Sequence, residues 1–347
     1  MGGVALILGI QGQDGALLSK YLLDKGYEVF GGARNLDPFN SWRLKSLGIY
    51  EQVRLRNYDI LDKDSLKKII TECIPSEIYM LAGNSKTYSS FYGPDGAISE
   101  SVHGVTNIFD LCVDLMPHVR IFIASSSEMF GDATSNSDGL VSEEAACFPL
   151  NPYGLGKLCS FHLARQYRNF HNIHIVNGIL FNHESTLRSK YFLTRKITYN
   201  LARLKVESGE PLTLGNLNME RDWSSANDVV RGMHLSMLKN QASDYVFASG
   251  KRTSVRTFLI LAATAAGFEP VFTGNGLEEK CLCNKTNQVL AKVSMKHFRE
   301  VDTPGIAGDF RKAHELLEWK PTRTVAQIAE EMMAEDLQRW RRGEIAH

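Results

Sequence analysis

The sequence carries no excess of charge of either sign. Its 347 residues include 39 Lys and Arg and 39 Asp and Glu. Nucleic acids and anionic membrane surfaces attract proteins through a positive field, which this chain lacks overall. The charge balance therefore argues against both kinds of partner, although it leaves room for a local basic site.

A long apolar N-terminal run and metal-spaced cysteines are also missing. The first apolar run, Val4-Ala5-Leu6-Ile7-Leu8, has only five residues, which is too short for a signal peptide or a membrane span. Of the 6 cysteines, only Cys281 and Cys283 are close together, without a second pair at the spacing of a metal site. We therefore expect a cytoplasmic protein with free thiols and no metal.

The feature that organises the sequence is a glycine-rich turn. The apolar run 4–8 is followed by glycines at positions 9, 12 and 15 and then by a helical pattern. This spacing lets the chain turn tightly and brings a diphosphate close to the N–H groups of a helix N-terminus. Such turns also occur for steric reasons alone, but the position between strand and helix favours a dinucleotide site. The candidate cofactor contacts here are Gly9, Gly12, Gln13, Asp14 and Gly15.

The end of the next predicted strand indicates which dinucleotide is bound. A second apolar stretch over residues 27–31 is followed by Ala33 and Arg34. A carboxylate at this place would hold a ribose 2′-hydroxyl, whereas a guanidinium suits a 2′-phosphate better. Arg34 therefore favours NADP over NAD as the cofactor.

Further apolar runs predict the fold class. A helix is expected from about residue 99 to 115, and strands are expected near residues 52–55, 78–83, 119–124, 174–181 and 244–248. The pattern predicts an α/β fold, a Rossmann-type doubly wound parallel sheet with a smaller, interleaved C-terminal substrate domain. The NADP-binding domain would comprise residues 1–183 with 222–249, and the substrate-binding lobe residues 184–221 with 250–347.

The clearest chemistry follows the strand expected near 119–124. Ser126 and Glu128 lie in a serine-rich run at the edge of the sheet where ligands of doubly wound folds bind. Tyr153 and Lys157 are spaced i and i+4, so they share one helix face. An ammonium near the phenol favours phenolate, which can take a proton from a hydroxyl. Such a pair is usually only helix packing, but its place downstream of a dinucleotide turn favours a catalytic role.

Other strand ends supply candidate ligand contacts. Asp59 is placed to meet an adenine edge, with a helix cap as the alternative. Small residues after the strand near 78–83 allow close approach to a ribose or diphosphate. His183 by itself is better explained as a structural histidine, and Arg195, Lys196 and Arg221 could surround a diphosphate or could simply be solvated. The remaining candidates at strand ends are Ile60, Leu81, Ala82, Gly83, Ser85, Asn182 and Arg188.

Taken together, the motifs resemble those of the GDP-mannose 4,6-dehydratase family of extended short-chain dehydrogenases/reductases. The motifs are the glycine turn 9–15, Ser125-Ser126-Ser127-Glu128, Tyr153-x-x-x-Lys157, the run 177–185 and Arg221-Asp222-Trp223. The glycine turn and the Tyr/Lys pair are shared with many nucleotide-sugar epimerases and reductases. The run 177–185, Thr194-Arg195-Lys196-Ile197 and Leu214-Gly215-Asn216-Leu217 are more particular to the dehydratases.

The resemblance implies roles for individual residues. Tyr153, assisted by Lys157, would remove the C4 hydroxyl proton of the sugar while NADP⁺ takes hydride from C4. Glu128 would then take the C5 proton as water leaves from C6, and Ser126 would bond near the C4 oxygen. The resemblance also implies that His183 and Arg188 contact the cofactor and that Asn182, Lys196 and Arg221 contact the substrate, while Ser85 is a candidate for both.

Departures from the family pattern affect the substrate and the assembly. Ser126 stands where the family usually has threonine, and Leu150 stands for an arginine. Asn35 replaces the second of two arginines in a loop that in the family contacts cofactor across a subunit interface. The implied substrate is a GDP-hexose, either GDP-mannose or a GDP-mannoheptose, and the implied assembly is a homodimer or homotetramer.

Two other functions remain open at this point. A nucleotide-sugar epimerase or decarboxylase could use the same cofactor turn and the same Tyr153/Lys157 pair, and some decarboxylases also carry Ser-Glu at 127–128. A non-catalytic NADP-binding regulator is the third hypothesis. The presence of Tyr153, Lys157 and Glu128 together argues against it, because binding alone needs no acid–base set.

Overall fold

The computed structural model describes residues 2–83, 88–133, 138–297 and 305–344. Their contacts divide the chain into two units. Unit 1 comprises Met1–Phe181, Ala226–Ala248 and Gly308–Lys320, and unit 2 comprises Asn182–Ser225, Ser249–Ala307 and Pro321–His347. Each unit is therefore built from segments that are far apart in the sequence.

The strands were numbered in chain order. They are β1 (Val4–Leu8), β2 (Glu28–Ala33), β3 (Arg54–Asn57), β4 (Glu77–Met80), β5 (Arg120–Ser126), β6 (Leu140–Val141), β7 (His174–Leu180), β8 (Asn182–Glu184), β9 (Leu212–Leu214), β10 (Glu220–Ser225), β11 (Asp244–Phe247), β12 (Arg252–Ser254), β13 (Pro270–Thr273), β14 (Lys280–Cys283), β15 (Val289–Val293) and β16 (Ala307–Gly308).

The helices follow the same numbering. They are α1 (Gln13–Asp24), α2 (Trp42–Ser46), α3 (Lys63–Cys73), α4 (Pro94–Leu115), α5 (Pro152–His171), α6 (Leu193–Val206), α7 (Ala226–Met237), α8 (Val255–Ala265), α9 (Arg311–Leu317) and α10 (Val325–Arg342). Short 3-10 turns occur at Tyr50–Gln52, Tyr88–Tyr92, Ser127–Met129, Gly276–Glu278 and Met295–His297. Among the described residues, no helix is both long and apolar enough to span a membrane.

Unit 1 is organised around a seven-stranded sheet with the order β3-β2-β1-β4-β5-β7-β11. The pairing of every neighbouring pair of strands is parallel. Ala5, Leu6, Ile7 and Leu8 in β1 are completely buried, as expected for a strand covered on both faces. The predicted Rossmann-type doubly wound sheet is confirmed, and its order reverses between β1 and β4, where such folds bind ligands.

The described part of unit 2 contains two small sheets and three α-helices. One sheet has the order β12-β10-β8 and the other β13-β14-β15-β9. Helix α10 packs against α6 and α8. Trp223, Phe258 and Met333 are buried in the core between these elements.

Two local expectations from the sequence were wrong. Helix α4 begins at Pro94 instead of near residue 99, with the proline in the first turn, where a missing N–H costs nothing. Residues 182–184, expected to follow the end of the strand near 174–181, form a strand of their own: Asn182–Glu184 is β8, which pairs in parallel with residues 223–225 of β10. A strand of polar residues is stable here because its backbone enters a second sheet and its glutamate is hydrogen-bonded.

Residues 308–320, which the sequence assignment placed in the second lobe, lie in unit 1. The Asp309 N–H donates to the Val141 carbonyl at 2.8 Å. The indole N–H of Trp319, which is fully buried, donates to the Asp228 carbonyl at 2.7 Å. These contacts fix the segment to unit 1, and nothing in the local composition of 308–320 distinguishes it from its neighbours.

Candidate active site

The glycine turn after β1 is closed tightly against neighbouring backbone. Gly9 has φ of +94°, and a Cβ atom there would lie 2.8 Å from the Ala82 nitrogen. A Cβ at Gly15 would lie 2.4 Å from the Gly9 carbonyl oxygen. Gly12 is the N-cap of α1 and makes no side-chain cap bond, since glycine has none to offer. Helix α1 therefore begins without a capping side chain at Gly12, which fits the approach of a diphosphate to the helix N-terminus.

Arg34 follows β2 and forms an ion pair that the sequence did not predict. Its Nη1 atom lies 2.7 Å from Oε1 of Glu100 in α4, and the side chains are 62% and 20% exposed, respectively. The guanidinium is therefore at the predicted sheet edge and accessible, but a carboxylate already partly balances its charge. A bound 2′-phosphate would share Arg34 with Glu100.

Asp59 is exposed, and its carboxylate accepts a hydrogen bond from the Leu61 N–H at 3.0 Å. The cap of α3 is a different residue, Asp62, whose carboxylate accepts from the N–H groups of Asp64 and Ser65. The alternative interpretation of Asp59 as the helix cap was therefore wrong. Its role as an adenine contact stays a prediction.

A pocket in unit 1 joins several predicted residues. It is lined by Ile60, Met80, Ala82, Gly83, Glu100, Ser101, Val105, Ile123, Tyr153, Lys157 and Ser160. Five of these were predicted to contact cofactor: Ile60, Ala82, Gly83, Tyr153 and Lys157. Leu81 instead extends the β1 ladder through its N–H to the Leu8 carbonyl, at 2.9 Å. Ser85 lies outside the described residues.

The start of α5 places Tyr153 and satisfies the free N–H groups of the first helical turn. The N-cap Asn151 accepts from the Gly154 N–H through Oδ1 at 2.8 Å, and Ser90 Oγ accepts from the Tyr153 N–H at 3.3 Å. Pro152, at the first helical position, has no N–H to satisfy. Because each donor has a partner, the helix begins sharply and holds Tyr153 one residue inside it.

Lys157 lies one turn along α5 and reaches the sheet. Its Nζ donates to the Ala124 carbonyl of β5 at 2.7 Å and lies 5.7 Å from the centroid of the Tyr153 ring. Burial lowers the Lys157 pKa to about 8, and the negative charge of Glu100 opposes that shift. The predicted shared face of Tyr153 and Lys157 is thus present, with the cation beside the phenol ring.

Ser126 and Glu128 lie at the carboxyl end of β5. Ser126 Oγ accepts from the Glu128 N–H at 3.3 Å and so caps the 3-10 turn that carries Glu128. Accepting this bond does not use the Ser126 hydroxyl proton. The Glu128 carboxylate accepts through Oε2 from the Asn151 amide at 2.8 Å. The turn after β5 and the start of α5 are therefore joined by a side-chain hydrogen bond.

The predicted residues after β7 are found in unit 2. Glu184 accepts from Thr194 Oγ1 at 2.6 Å, and its Oε2 lies 3.2 Å from Nε of Arg188. The guanidinium carbon of Arg188 lies 3.8 Å from the centroid of the Phe192 ring. Arg188 is thus fixed by a carboxylate and an aromatic face. His183 is buried, and Asn182 is half-buried at the start of β8.

The three basic residues considered for a diphosphate have different surroundings within unit 2. Lys196 is half-buried, donates to the Thr213 carbonyl at 2.8 Å, and has its pKa lowered by burial and by Lys296. Arg221 is partly exposed and donates to the Glu220 carbonyl at 2.7 Å. Arg195 is fully buried, and its Nε donates to both oxygens of Asp336 at 2.7 and 2.8 Å. The interpretation of Arg195 as a possible diphosphate contact was therefore wrong.

Sequence reasoning missed Asn151, Ser90 and Glu100. The Asn-Pro step before Tyr153 is a helix-start signal that could have identified Asn151 as the cap. No local signal identifies Ser90 or Glu100, because each becomes part of the site only through packing against a distant element.

Comparisons with known proteins decide the family. The sequence profile of the family described as GDP-mannose 4,6 dehydratase matches residues 6–332. The chain belongs to this family. The GDP-mannose 4,6-dehydratase of Sinorhizobium fredii (strain HH103) is 36% identical over 343 residues, which are 96% of each chain. The GDP-mannose 4,6 dehydratase of Homo sapiens is 34% identical over 343 residues, covering 96% of this chain and 91% of the human protein.

Solved structures with the same fold include two dinucleotide complexes. RMD from Pseudomonas aeruginosa complexed with NADPH has a TM-score of 0.77 and 20% identity, covering 97% of this chain and 99% of that one. The dTDP-glucose 4,6-dehydratase of Bacillus anthracis in complex with NAD has a TM-score of 0.79 and 17% identity, covering 98% and 97%. At such low sequence identities, these two structures support the fold of this GDP-mannose 4,6-dehydratase family member and nothing further.

Proposed function

We propose that this protein is a nucleotide-sugar 4,6-dehydratase that converts a GDP-hexose, GDP-mannose or a GDP-mannoheptose, to its 4-keto-6-deoxy product. The observation that carries the proposal is the bond between Asn151 and Glu128. This bond holds the Glu128 carboxylate next to the start of α5, the helix that carries Tyr153 and Lys157. Dehydration needs such a carboxylate as a base. Family membership supports the same reaction.

The cofactor we propose is NADP, which accepts hydride from one sugar carbon and returns it to another when bound. The bare backbone at Gly9 and Gly15 and the open start of α1 fit its diphosphate. Arg34 would hold the 2′-phosphate, in competition with Glu100. Relatives in fold are complexed with NADPH and with NAD, so the pocket chemistry is consistent with a nicotinamide dinucleotide.

Tyr153 would take the proton of the C4 hydroxyl. The Lys157 ammonium beside the ring stabilises the phenolate, and it stays charged below a pH of about 8 because that is its pKa. The bond from Lys157 to Ala124 fixes the ammonium on β5, so the cation cannot move away from the phenol. Ser126 would donate its hydroxyl proton toward the C4 oxygen.

Glu128 would act on the keto sugar formed in the first step. A carbonyl at C4 acidifies the C5 hydrogen, and the carboxylate takes that proton while the C6–O bond breaks. The hydroxyl group would leave C6 with the proton that Glu128 took from C5 and depart as water; hydride would then return to C6, and a proton from solvent would add at C5. Because the sugar is oxidised at C4 and reduced at C6, the whole reaction is redox-neutral and consumes no external reductant.

The residues of unit 2 complete the proposal. Asn182, Lys196 and Arg221 are proposed to contact the nucleotide sugar, and His183 and Arg188 the cofactor. Unit 1 would then be the cofactor-binding domain and unit 2 the substrate lobe. We further propose a cytoplasmic homodimer or homotetramer.

The test offers GDP-mannose, a GDP-mannoheptose and UDP-sugars separately to the purified protein and follows loss of water by mass spectrometry. We expect water loss from a GDP-linked sugar. Replacing Glu128 with Gln should abolish it, whereas Glu51→Gln, on an exposed 3-10 turn, should not. A product that retains its C6 hydroxyl would point instead to an epimerase or decarboxylase, and no turnover of any sugar would contradict the proposal.

A further inference from the structure

The side chain of Asn151 makes two hydrogen bonds of opposite polarity. Its Oδ1 accepts from the Gly154 N–H at 2.8 Å, and its Nδ2 donates to Oε2 of Glu128 at 2.8 Å. The first bond lies within α5. The second reaches the 3-10 turn Ser127–Met129, which is 23 residues earlier in the chain.

Capping alone does not require an asparagine. Serine, threonine and aspartate accept from the first N–H groups of a helix about as well, within about 1 kcal/mol. What distinguishes asparagine is a donor on the same side chain as the acceptor. The donor is directed at a carboxylate that we assign to catalysis, so it has a use beyond the helix start.

The two segments that Asn151 joins are already in close contact. A Cβ atom at Gly154 would lie 2.4 Å from the Glu128 carbonyl oxygen, so the helix backbone rests directly on the turn. Ser126 Oγ accepts a hydrogen bond from the backbone N–H of Glu128. The main chain of Glu128 is thus fixed at two points, and the amide of Asn151 adds a constraint on its carboxylate.

We propose that Asn151 is a positioning residue that holds the Glu128 carboxylate in a fixed orientation relative to Tyr153 and Lys157. This inference rests on the proposed function, in which Glu128 takes the C5 proton. An amide N–H does not titrate, and a carbonyl oxygen of the protonated acid can still accept it. The amide therefore orients Glu128 both before and after proton transfer.

The proposal separates two steps of the reaction. Removal of the C4 hydroxyl proton by Tyr153 does not involve Glu128, so it is independent of the amide donor of Asn151 as long as the cap of α5 is kept. Removal of the C5 proton, with loss of the C6 oxygen as water, depends on where the carboxylate points. Loss of the amide donor should slow the second step and leave the first unchanged.

Two substitutions keep the cap and remove the donor. Asn151→Ser retains an oxygen for the Gly154 N–H, and Asn151→Asp retains it but sets a second carboxylate against Glu128. The matched control is Asp62→Ser, which exchanges one capping side chain for another at the start of a different helix, α3. Melting temperatures of all three variants show how far each exchange changes the stability of the fold.

In single turnovers, reduced nicotinamide should appear at the wild-type rate, within about twofold, in both Asn151 variants. Exchange of C5 hydrogen with solvent deuterium and loss of water should fall by about tenfold or more. Equal slowing of both steps, or unchanged elimination with only a lower melting temperature, would overturn the proposal.

A measurement without turnover separates this inference from the proposed function. The Glu128 carboxyl carbon can be observed by NMR with ¹³C-labelled glutamate, assigned through Glu128→Gln. Its chemical shift should change in Asn151→Ser, which removes the amide donor, and stay unchanged in Asp62→Ser; the wild-type chemical shift in both variants would overturn the role of Asn151. If the wild-type protein removes water from no sugar, the proposed function fails while this chemical shift still decides whether Asn151 contacts the Glu128 carboxylate.

Discussion

Two cations that are shielded from water, the half-buried Lys157 in unit 1 and the buried Arg195 in unit 2, have opposite electrostatic surroundings. Lys157 donates to the neutral carbonyl of Ala124, and burial lowers its pKa to about 8. Arg195 donates to both oxygens of the Asp336 carboxylate, which also accepts from Thr198 at 2.7 Å. One cation is therefore close to losing its proton near neutral pH, and the other is held in a permanent ion pair.

The contrast distinguishes a cation that can take part in catalysis from a cation that stabilises the fold. A charge that is buried against a neutral group costs stability and is available to act on a neighbour, here Tyr153. A charge that is buried against a carboxylate becomes part of the core, and it stabilises only while both partners are present. Substitutions at the two sites should therefore affect rate and stability in opposite ways.

Lys157→Met should reduce the rate of sugar oxidation by about 10²- to 10⁴-fold, because Tyr153 loses the charge that stabilises its phenolate. The melting temperature should stay the same or rise, since a costly buried charge is removed. Single-turnover kinetics and thermal unfolding measure the two effects, with the exposed Lys67→Met as control. A large loss of stability with little loss of rate would make Lys157 a structural residue.

Asp336→Asn should destabilise the protein by about 3–5 kcal/mol, because the Arg195 guanidinium would remain buried without its carboxylate. The matched control on the same helix is Glu331→Gln, which breaks a pair with Arg323 whose side chains are both 48% exposed. That control should cost less than about 1 kcal/mol. Urea unfolding measures both, and similar losses for the two variants would contradict the contrast drawn here.

The activity should fall as the pH rises through about 8, since Lys157 loses its proton there and its charge no longer assists Tyr153. Glu100→Gln should move this basic limb to lower pH, because the Glu100 charge raises the Lys157 pKa. Glu144→Gln, whose side chain is 75% exposed, is the control and should leave the limb in place. A basic limb that does not respond to Glu100→Gln would remove Glu100 from the electrostatics of the site.

His234 extends the comparison to a buried group that is neutral. Burial, with a smaller effect of Lys25, lowers its pKa from 6.5 to about 4, and its Nε2 lies 3.3 Å from the Tyr27 hydroxyl. The folded state resists protonation, so stability is full above pH 6.5 and is lost as the pH falls from 6.5 toward 4.

The loss should amount to about 3 kcal/mol by a pH near 4 and should shrink in His234→Phe, which retains a ring beside Tyr21 and Tyr27. Urea unfolding at several pH values measures it. The replacement His314→Phe, in the short helix α9, serves as a control that should leave the slope unchanged. An equal pH slope in wild type and His234→Phe would exclude His234 as the source.

Much of unit 1 could be predicted from the sequence because its signals are local. The apolar run of β1, the glycines after it and the i, i+4 spacing of Tyr153 and Lys157 each act within a few residues. Boundaries were less certain: α4 begins at Pro94, and the polar stretch 182–184 forms a strand. That strand depends on pairing with 223–225, which no local pattern in 182–184 reveals.

Local sequence patterns were enough to establish the doubly wound sheet, the family and the residue types available for acid–base chemistry. Which side chains pair was set by tertiary packing, which joins Glu100 to Arg34, Asn151 to Glu128 and Asp336 to Arg195. The partners in these pairs are between 23 and 141 residues apart. Backbone periodicity is set by neighbours along the chain, whereas the pairing and pKa of a side chain depend on which distant groups fold against it.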